Sequence, residues 1–281
     1  MEKQRQLEEY LRTLGKVVIA YSGGIDSSYL LYVANQVLPK QNVIAIIANG
    51  IMVPRKDYKE AIDFLKENNF QYIEVPYKPL EITAFRENHK DRCYHCKKAL
   101  MTTLKNVAKE NGYENLLDGK NADDLTVYRP GNKATEEVGV LSPLAKFDIH
   151  KEEIRQYSKN LGISFWNKPS NSCLATRFPY NTTLTEEGLK KVEQSEEIIK
   201  QLEIKKARVR VHNDIARIEV NPEDFETILN NIKNKNRKTN KNNANINNKI
   251  ENDINLVEEI KNLGFSYVTL DLSGLKSGSF D

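Results

Sequence analysis

Hydrophobic positions in the first half of the chain alternate between short unbroken runs and helically spaced stripes. An amphipathic opening helix ends near Gly15, and Lys16–Tyr21 is then nearly continuous in apolar residues, the pattern of a strand buried on both faces. Leu30, Leu31, Ala34 and Val37 recur at helical spacing between Ser27 and Leu38, Pro39 closes that stretch, and Val43–Ala48 is a second apolar run. A helix over Arg55–Asn68, a strand over Gln71–Val75, a helix over Lys97–Asn111 and a strand over Glu114–Asp118 continue the alternation. The pattern predicts an α/β fold with a doubly wound parallel sheet, which binds ligands at the carboxyl ends of its strands. Both Gly-containing stretches, 22–27 and 119–124, fall at such ends.

The second half changes character. His150–Leu161 has helical spacing, whereas Trp166–Tyr180 has two Pro and no clean period and is expected to be a functional loop. After a helix near Thr185–Leu202, ARVRVHNDIARIEV alternates like a hairpin around Asn213-Asp214. A helix from Pro222 to about Ile232, a helix over Asn255–Leu263 and a strand over Ser266–Leu270 complete a smaller α+β unit. The expected domains are therefore 1–180 and 181–281, the second interrupted by an Asn/Lys-rich insertion at about 234–250.

Composition adds exclusions. The longest apolar runs, such as Val17–Tyr21, are too short to cross a bilayer. The charged N-terminal stretch lacks the apolar core of a signal peptide, so a cytoplasmic protein with reduced thiols is expected. The net charge of +3 originates in Asn230–Asn255, where six Lys/Arg face two acidic residues and twelve residues are Asn; the remaining chain carries one net negative charge. A nucleic-acid partner, which calls for a basic folded surface, is not expected. The insertion is expected to be disordered, because so polar a segment buries too little apolar area to offset its ordering entropy.

Ser22-Gly23-Gly24-Ile25-Asp26-Ser27-Ser28 lies between a strand and a helix N-terminus. Glycines let an anion approach the backbone there, and the N–H groups and helix dipole favour it. An N-cap at Ser27 or Asp26 would use the same spacing. No Lys-Ser/Thr pair follows the glycines, which sets the loop apart from those of enzymes that cleave the γ-phosphate. The string SGGIDSS resembles the pyrophosphate-binding loop of the PP-loop ATP pyrophosphatases, and DGKNADD at Asp118–Asp124 resembles that family's second nucleotide loop. The resemblance implies attack of a substrate oxygen on the α-phosphate of ATP with loss of pyrophosphate. Ser22, Gly23, Gly24, Ser27 and Ser28 would cradle the pyrophosphate and Asp26 would hold Mg²⁺. Gly119, Asn121 and Asp124 would face the nucleotide, an Asn-Ala-Asp cap on the next helix being the alternative.

Cys93 and Cys96 form CYHC at the opening of a helix, and Cys173 follows in the Pro-rich loop. An odd count in a reducing compartment argues against a disulfide framework. Three thiolates could bind Zn²⁺ together with His95 or His89, hold a 4Fe–4S cluster with one open iron, or simply pack as buried thiols. Taken together, SGGIDS, RCYHCK, LLDGKNADD, NKPSNSCLATR, RVRVHNDIARIEV and the terminal LGFSYVTLDLSGLKSGSFD resemble the LarE family of sulfur transferases, from about residue 15 to the end outside the insertion. The resemblance implies adenylylation of the carboxylates of pyridinium-3,5-biscarboxylic acid mononucleotide and their conversion to thiocarboxylates for a nickel-pincer nucleotide cofactor, with a sulfide source as partner. Cys173 matches the cysteine that gives up its own sulfur in one branch. The added CxxC fits the other branch, in which Cys93, Cys96 and Cys173 would hold a 4Fe–4S cluster carrying an extra sulfide. Arg177, together with Arg208 and Arg210, two apart on one strand, would grip substrate phosphate or carboxylate. A homo-oligomer is expected. The competing readings are a PP-loop iron–sulfur tRNA thiolase, an amidotransferase-type ligase, and sacrifice of Cys173.

Overall fold

The computed structural model describes residues 2–126, 130–169, 171–239 and 254–276. The chain divides into two compact units, Met1–Ser172 and Cys173–Asp281.

The first unit begins with α1 (Glu2–Leu14), β1 (Val17–Tyr21), α2 (Ile25–Val37), β2 (Val43–Asn49), α3 (Arg55–Glu67) and β3 (Tyr72–Pro76). It continues through α4 (Thr83–Arg86), α5 (Arg92–Glu110), β4 (Asn115–Leu117), α6 (Asp123–Thr126), α7 (Pro130–Val138), α8 (Pro143–Lys146) and α9 (Lys151–Asn160). The strands form one parallel sheet in the order β3-β2-β1-β4, with Val17 beside both Val43 and Asn115.

All five residues of β1 are buried because the sheet is covered on both faces. Val17, Ile19 and Tyr21 pack with Leu7, Leu30, Leu65 and Ile154, whereas Val18 and Ala20 pack with Met101 and Leu104 of α5. Each fully buried Val or Ile contributes about 1.5–3 kcal/mol, so a polar residue at Ile19 would undo the centre of the sheet. The chain leaves β1 toward β2 on one side, while β4 lies on the other. This reversal is the topological switch point, where the loops after β1 and β4 diverge and leave a crevice.

The structure starts α5 at Arg92, a turn before the Lys97 that apolar periodicity indicates, so both cysteines are helical. Of residues 92–96 only Arg92 is buried, which is why no apolar stripe announces this turn.

The second unit contains α10 (Glu186–Lys200), β5 (Ala207–His212), β6 (Ile215–Val220), α11 (Phe225–Thr239), α12 (Leu256–Asn262) and β7 (Tyr267–Leu270). β5 and β6 form the antiparallel hairpin, turning at Asn213-Asp214 with Asn213 at φ 55°, a conformation Asn tolerates; β7 joins β6 in parallel. Val209, Ile218 and Val220 make its core with Ile199, Ile228 and Ile260.

Two boundaries differ from those of the sequence pattern. Residues 173–180 were expected in the first domain, but Arg177 is bound by Glu196 of α10 and the segment belongs to the second unit. Residues 234–239 of the expected disordered insertion are the end of α11. Asn and Lys are tolerated in a helix whose first turns are anchored by Phe225 and Ile228, so composition alone misplaces its end. Residues 240–250 of the insertion lie outside the described residues.

Candidate active site

A cavity of about 470 Å³ opens at the carboxyl ends of β1 and β4. Ser22, Asp26 and Ser27 enter it from the first loop, Gly119 and Asp124 from the second, and Cys93 from α5. Gly24 is the N-cap of α2 and no side chain caps the helix, which leaves its first-turn N–H groups for an anion. Ser27 is therefore not the cap. Its hydroxyl bonds instead to Gly24 O (3.0 Å) and lies 3.1 Å from Ser22 Oγ, holding the loop in shape.

Two glycines are required by close approach. At Gly23, with φ +73°, a Cβ would sit 2.5 Å from Ala61 Cβ. A Cβ on Gly119 would lie 2.8 Å from the Ser27 nitrogen, so the two nucleotide loops touch through their backbones. The same contact brings Asn121 Nδ2 to 3.3 Å from Asp26 Oδ1. The other carboxylate oxygen of Asp26 accepts from Lys151 Nζ at 2.5 Å.

The expected nucleotide residues do not all face the cavity. Ser28 is fully buried beneath the loop, bonding Gly24 O (3.0 Å) and Tyr21 Oη (3.3 Å), because a successive helical position turns away from the loop's open side. Asn121 and Asp124 exchange backbone-to-side-chain bonds of 3.2 Å each, the cap that the spacing also allowed, and Asp124 still lines the cavity. Asp118, buried, accepts from Ser142 Oγ (2.7 Å) and the Lys120 amide (3.2 Å), and so shapes the second loop.

Sequence reasoning assigns no role to Lys120, which lines the cavity, nor to two further lysines. Lys97 lines the cavity one turn past Cys93; burial lowers its pKa, with the charges of Asp118 and Cys96 opposing. Lys151 opens α9 and reaches Asp26. The signals available were a Lys directly after CxxC and one at a helix start, and neither is distinctive by itself.

Cys93 is exposed at the cavity, and Cys96 lies beneath it, 3.4 Å from Tyr77 Oη. Burial pushes the Cys96 thiol up, with the Tyr77 hydrogen bond opposing. His95 turns outward to Asp91, at 3.1 Å. Cys173 belongs to the second unit, where it caps the 3₁₀ turn Leu174–Arg177. Within neither unit do three His, Cys, Asp or Glu side chains converge on one point among the described residues. His95, one of the two histidines that could complete a zinc site with the thiols, is engaged by Asp91.

In the second unit Arg177 and Arg210 are buried and paired. Arg177 binds Glu196 through two bonds of 2.8 and 3.1 Å, and Arg210 Nε binds Glu219 at 3.1 Å. Arg208 is half-buried and donates to the Lys276 carbonyl at 3.1 Å.

A parallel sheet of this order, with a Ser-Gly-Gly loop opening α2 and a second loop locked onto it, defines a PP-loop nucleotide-binding domain. The NAD synthase family model matches residues 2–113. The chain is 34% identical over 278 residues to the pyridinium-3,5-bisthiocarboxylic acid mononucleotide synthase of Lactiplantibacillus plantarum, covering 98% of this chain and 92% of that protein. It is also 34% identical over 284 residues to an uncharacterised protein of Synechocystis, covering 99% and 97%. An uncharacterised protein of Methanocaldococcus jannaschii matches at 34% over 215 residues, 76% of this chain and 81% of that one. The chain belongs to the pyridinium-3,5-bisthiocarboxylic acid mononucleotide synthase (LarE) family, within the ATP-using PP-loop enzymes. No helix among the described residues is long and apolar enough to cross a membrane.

Proposed function

We propose that the protein is an ATP-dependent sulfurtransferase that converts the carboxylates of pyridinium-3,5-biscarboxylic acid mononucleotide to thiocarboxylates, in the service of a nickel-pincer nucleotide cofactor. The observation that carries the reading is Cys93 on the wall of the same cavity as Ser22, Asp26 and Ser27. A purely ATP-hydrolysing or amide-forming site has no use for a thiol there.

In this reading a substrate carboxylate oxygen attacks the α-phosphorus, the bond to the bridging oxygen of the β-phosphate breaks, and pyrophosphate leaves into the loop Ser22–Ser27. The first-turn N–H groups of α2 receive its charge. A sulfur nucleophile then adds to the acyl carbon, and AMP departs with the original carboxylate oxygen. Lys97 on the cavity wall and Lys151 against Asp26 place amine side chains at the site, and each when protonated lowers the cost of bringing two anions together. Asp26 is the residue to hold Mg²⁺, which neutralises phosphate charge; its carboxylate sits at the cavity and already attracts a cation, Lys151.

Cys93, Cys96 and Cys173 would hold a 4Fe–4S cluster, which when bound supplies an iron position for a replaceable sulfide. Arg208 is the candidate cation for the substrate's anionic groups. A cytoplasmic location, a homo-oligomeric state and an external sulfide source belong to the same reading. The test is pyrophosphate release from Mg-ATP with and without the pyridinium biscarboxylate. Release that depends on the substrate is expected; equal release in its absence, or none in its presence, overturns the assignment.

A further inference from the structure

Three arginines surround the Cys173 turn, and their partners differ. The Cys173 carbonyl accepts from the Thr176 amide (3.0 Å), from Thr176 Oγ1 (2.8 Å) and from Arg177 Nη1 (3.4 Å). Arg177 Nη1 also reaches Thr176 Oγ1 at 2.9 Å, while its Nε and Nη2 fork onto Glu196. Glu196 Oε1 in turn accepts the Val209 amide of β5 at 3.1 Å, tying the turn to the sheet. Arg210 does the same one residue further along the turn: Nη1 donates to the Thr176 carbonyl and Nε to Glu219, which also receives Arg217 at 3.1 Å. Both guanidiniums are 2% exposed, and both carboxylates are 4% exposed or less. Both guanidiniums are therefore enclosed and spend their N–H groups on carboxylates, carbonyls and a hydroxyl of the protein itself.

Arg208 contrasts with them. It donates to the Lys276 carbonyl and has no carboxylate partner among the described residues. Burial, and after it the neighbouring charges of Arg177 and Arg210, lower its pKa, as burial does for Arg210, so the contrast between the two lies in their partners.

We propose that the buried pairs Arg177–Glu196 and Arg210–Glu219 are a positioning device that fixes the backbone of the Cys173 turn, and hence its sulfur, while Arg208 alone of the three meets substrate. Fixing the turn matters because sulfur chemistry at one atom is sensitive to displacements of about 1 Å, and a four-residue 3₁₀ turn has little rigidity of its own. The positioning role takes from the proposed function only that Cys173 handles sulfur, and the role of Arg208 takes from it the anionic substrate.

The test removes the charges without leaving one buried alone. Arg177→Met with Glu196→Gln keeps an acceptor for the Val209 amide, and exchange of a buried pair for neutral groups commonly leaves stability near its starting value. The alkylation rate of Cys173 by iodoacetamide in the metal-free protein, read by peptide mass spectrometry, is expected to rise about fivefold or more as the turn opens locally. Cys93 and Cys96, in the other unit, serve as internal references and keep their rates. This readout needs neither ATP nor substrate, so its failure leaves sulfur transfer standing, and failure of sulfur transfer leaves it standing. An unchanged Cys173 rate in a folded variant overturns the proposal.

Kinetics give the second arm: Arg210→Met with Glu219→Gln lowers kcat at unchanged KM for the pyridinium biscarboxylate, whereas Arg208→Ala raises KM. A raised KM in the paired variants would return both arginines to the anion grip. If the paired variants fail to fold, hydrogen exchange of the unaltered protein decides. A Thr176 amide protected about tenfold or more is expected of a turn clamped from two sides, and an unprotected one overturns it.

Discussion

Gly119→Ala is the smallest change that separates the two nucleotide loops. A methyl carbon there would lie 2.8 Å from Ser27 N, 3.0 Å from Ser27 Cα and 3.1 Å from the Asp26 carbonyl carbon, against ordinary contacts of about 3.5–4.0 Å. These atoms are backbone in the first turn of α2, so no side-chain rotation relieves the overlap. Overpacking of this kind costs about 1–3 kcal/mol. At about 2–4 °C per kcal/mol for a unit of this size, Tm should fall by roughly 2–12 °C. The displaced turn carries Asp26 and the uncapped N–H groups proposed to receive the pyrophosphate, so Mg-ATP affinity should weaken about tenfold or more, equivalent to about 1.4 kcal/mol.

Thermal unfolding and calorimetric titration with Mg-ATP measure the two effects. Gly162→Ala is the control: its φ is +77° with nothing within 4 Å of the added carbon, so it strains only its own backbone. It should lower Tm by a comparable few degrees, for a cost of about 1–2 kcal/mol, and leave ATP affinity unchanged. Wild-type Tm and affinity in Gly119→Ala would refute the packing of one loop on the other.

Asp26→Ala should abolish Mg²⁺-dependent pyrophosphate release while iron content and Tm are retained; full activity would remove the pyrophosphatase-type assignment. Lys151→Ala, which frees the Asp26 carboxylate from its 2.5 Å partner, should lower kcat and also lower the Mg²⁺ concentration for half-maximal rate, and a raised Mg²⁺ requirement would contradict the competition. His150 is held by Asp123 at 2.7 Å, a bond that raises the imidazole pKa and lowers that of the carboxyl. Because a raised folded-state pKa stabilises below the unfolded value of about 6.5 and the gain is lost as pH rises through the raised one, the Tm difference between wild type and His150→Gln should be largest in mild acid and shrink toward alkaline pH. A difference independent of pH would contradict the bond. Replacing residues 240–253 by a Gly-Ser linker of equal length should leave Tm and pyrophosphate release unchanged, since a composition so rich in Asn and Lys offers little apolar area to bury; a large loss would contradict that reading of the composition.

The parallel sheet was legible because its strands are buried on both faces and so read as unbroken apolar runs, as in VVIAY of β1. The first loop was legible because close backbone approach demands Gly23, and because SGGIDSS is a long string. What lay beyond reach were contacts made by residues distant in sequence. Lys151 meets Asp26 only through the docking of α9 on α2, and no local pattern distinguishes it from a solvated lysine. Glu196 and Glu219 sit at positions where helix and strand patterns permit exposed acids, yet each is buried against an arginine. Strand alternation places Arg208 and Arg210 on one face, but it does not reveal that one of them is neutralised by Glu219. The start of α5 was blurred for the opposite reason: the turn that bears Cys93 and Cys96 spends its side chains on the cavity and on solvent rather than on the core.

The most direct measurement follows the sulfur. The full chain, reconstituted with iron and sulfide without oxygen, is incubated with Mg-ATP, pyridinium-3,5-biscarboxylic acid mononucleotide and isotopically heavy sulfide, and both product and intact polypeptide are weighed by mass spectrometry. The account predicts a product in which heavy sulfur replaces carboxylate oxygen, formed in excess over the protein, with the polypeptide mass unchanged once iron is stripped. A product without sulfur would contradict sulfur transfer altogether. A product bearing unlabelled sulfur, matched by loss of hydrogen sulfide from Cys173, would contradict the cluster and make that cysteine the donor.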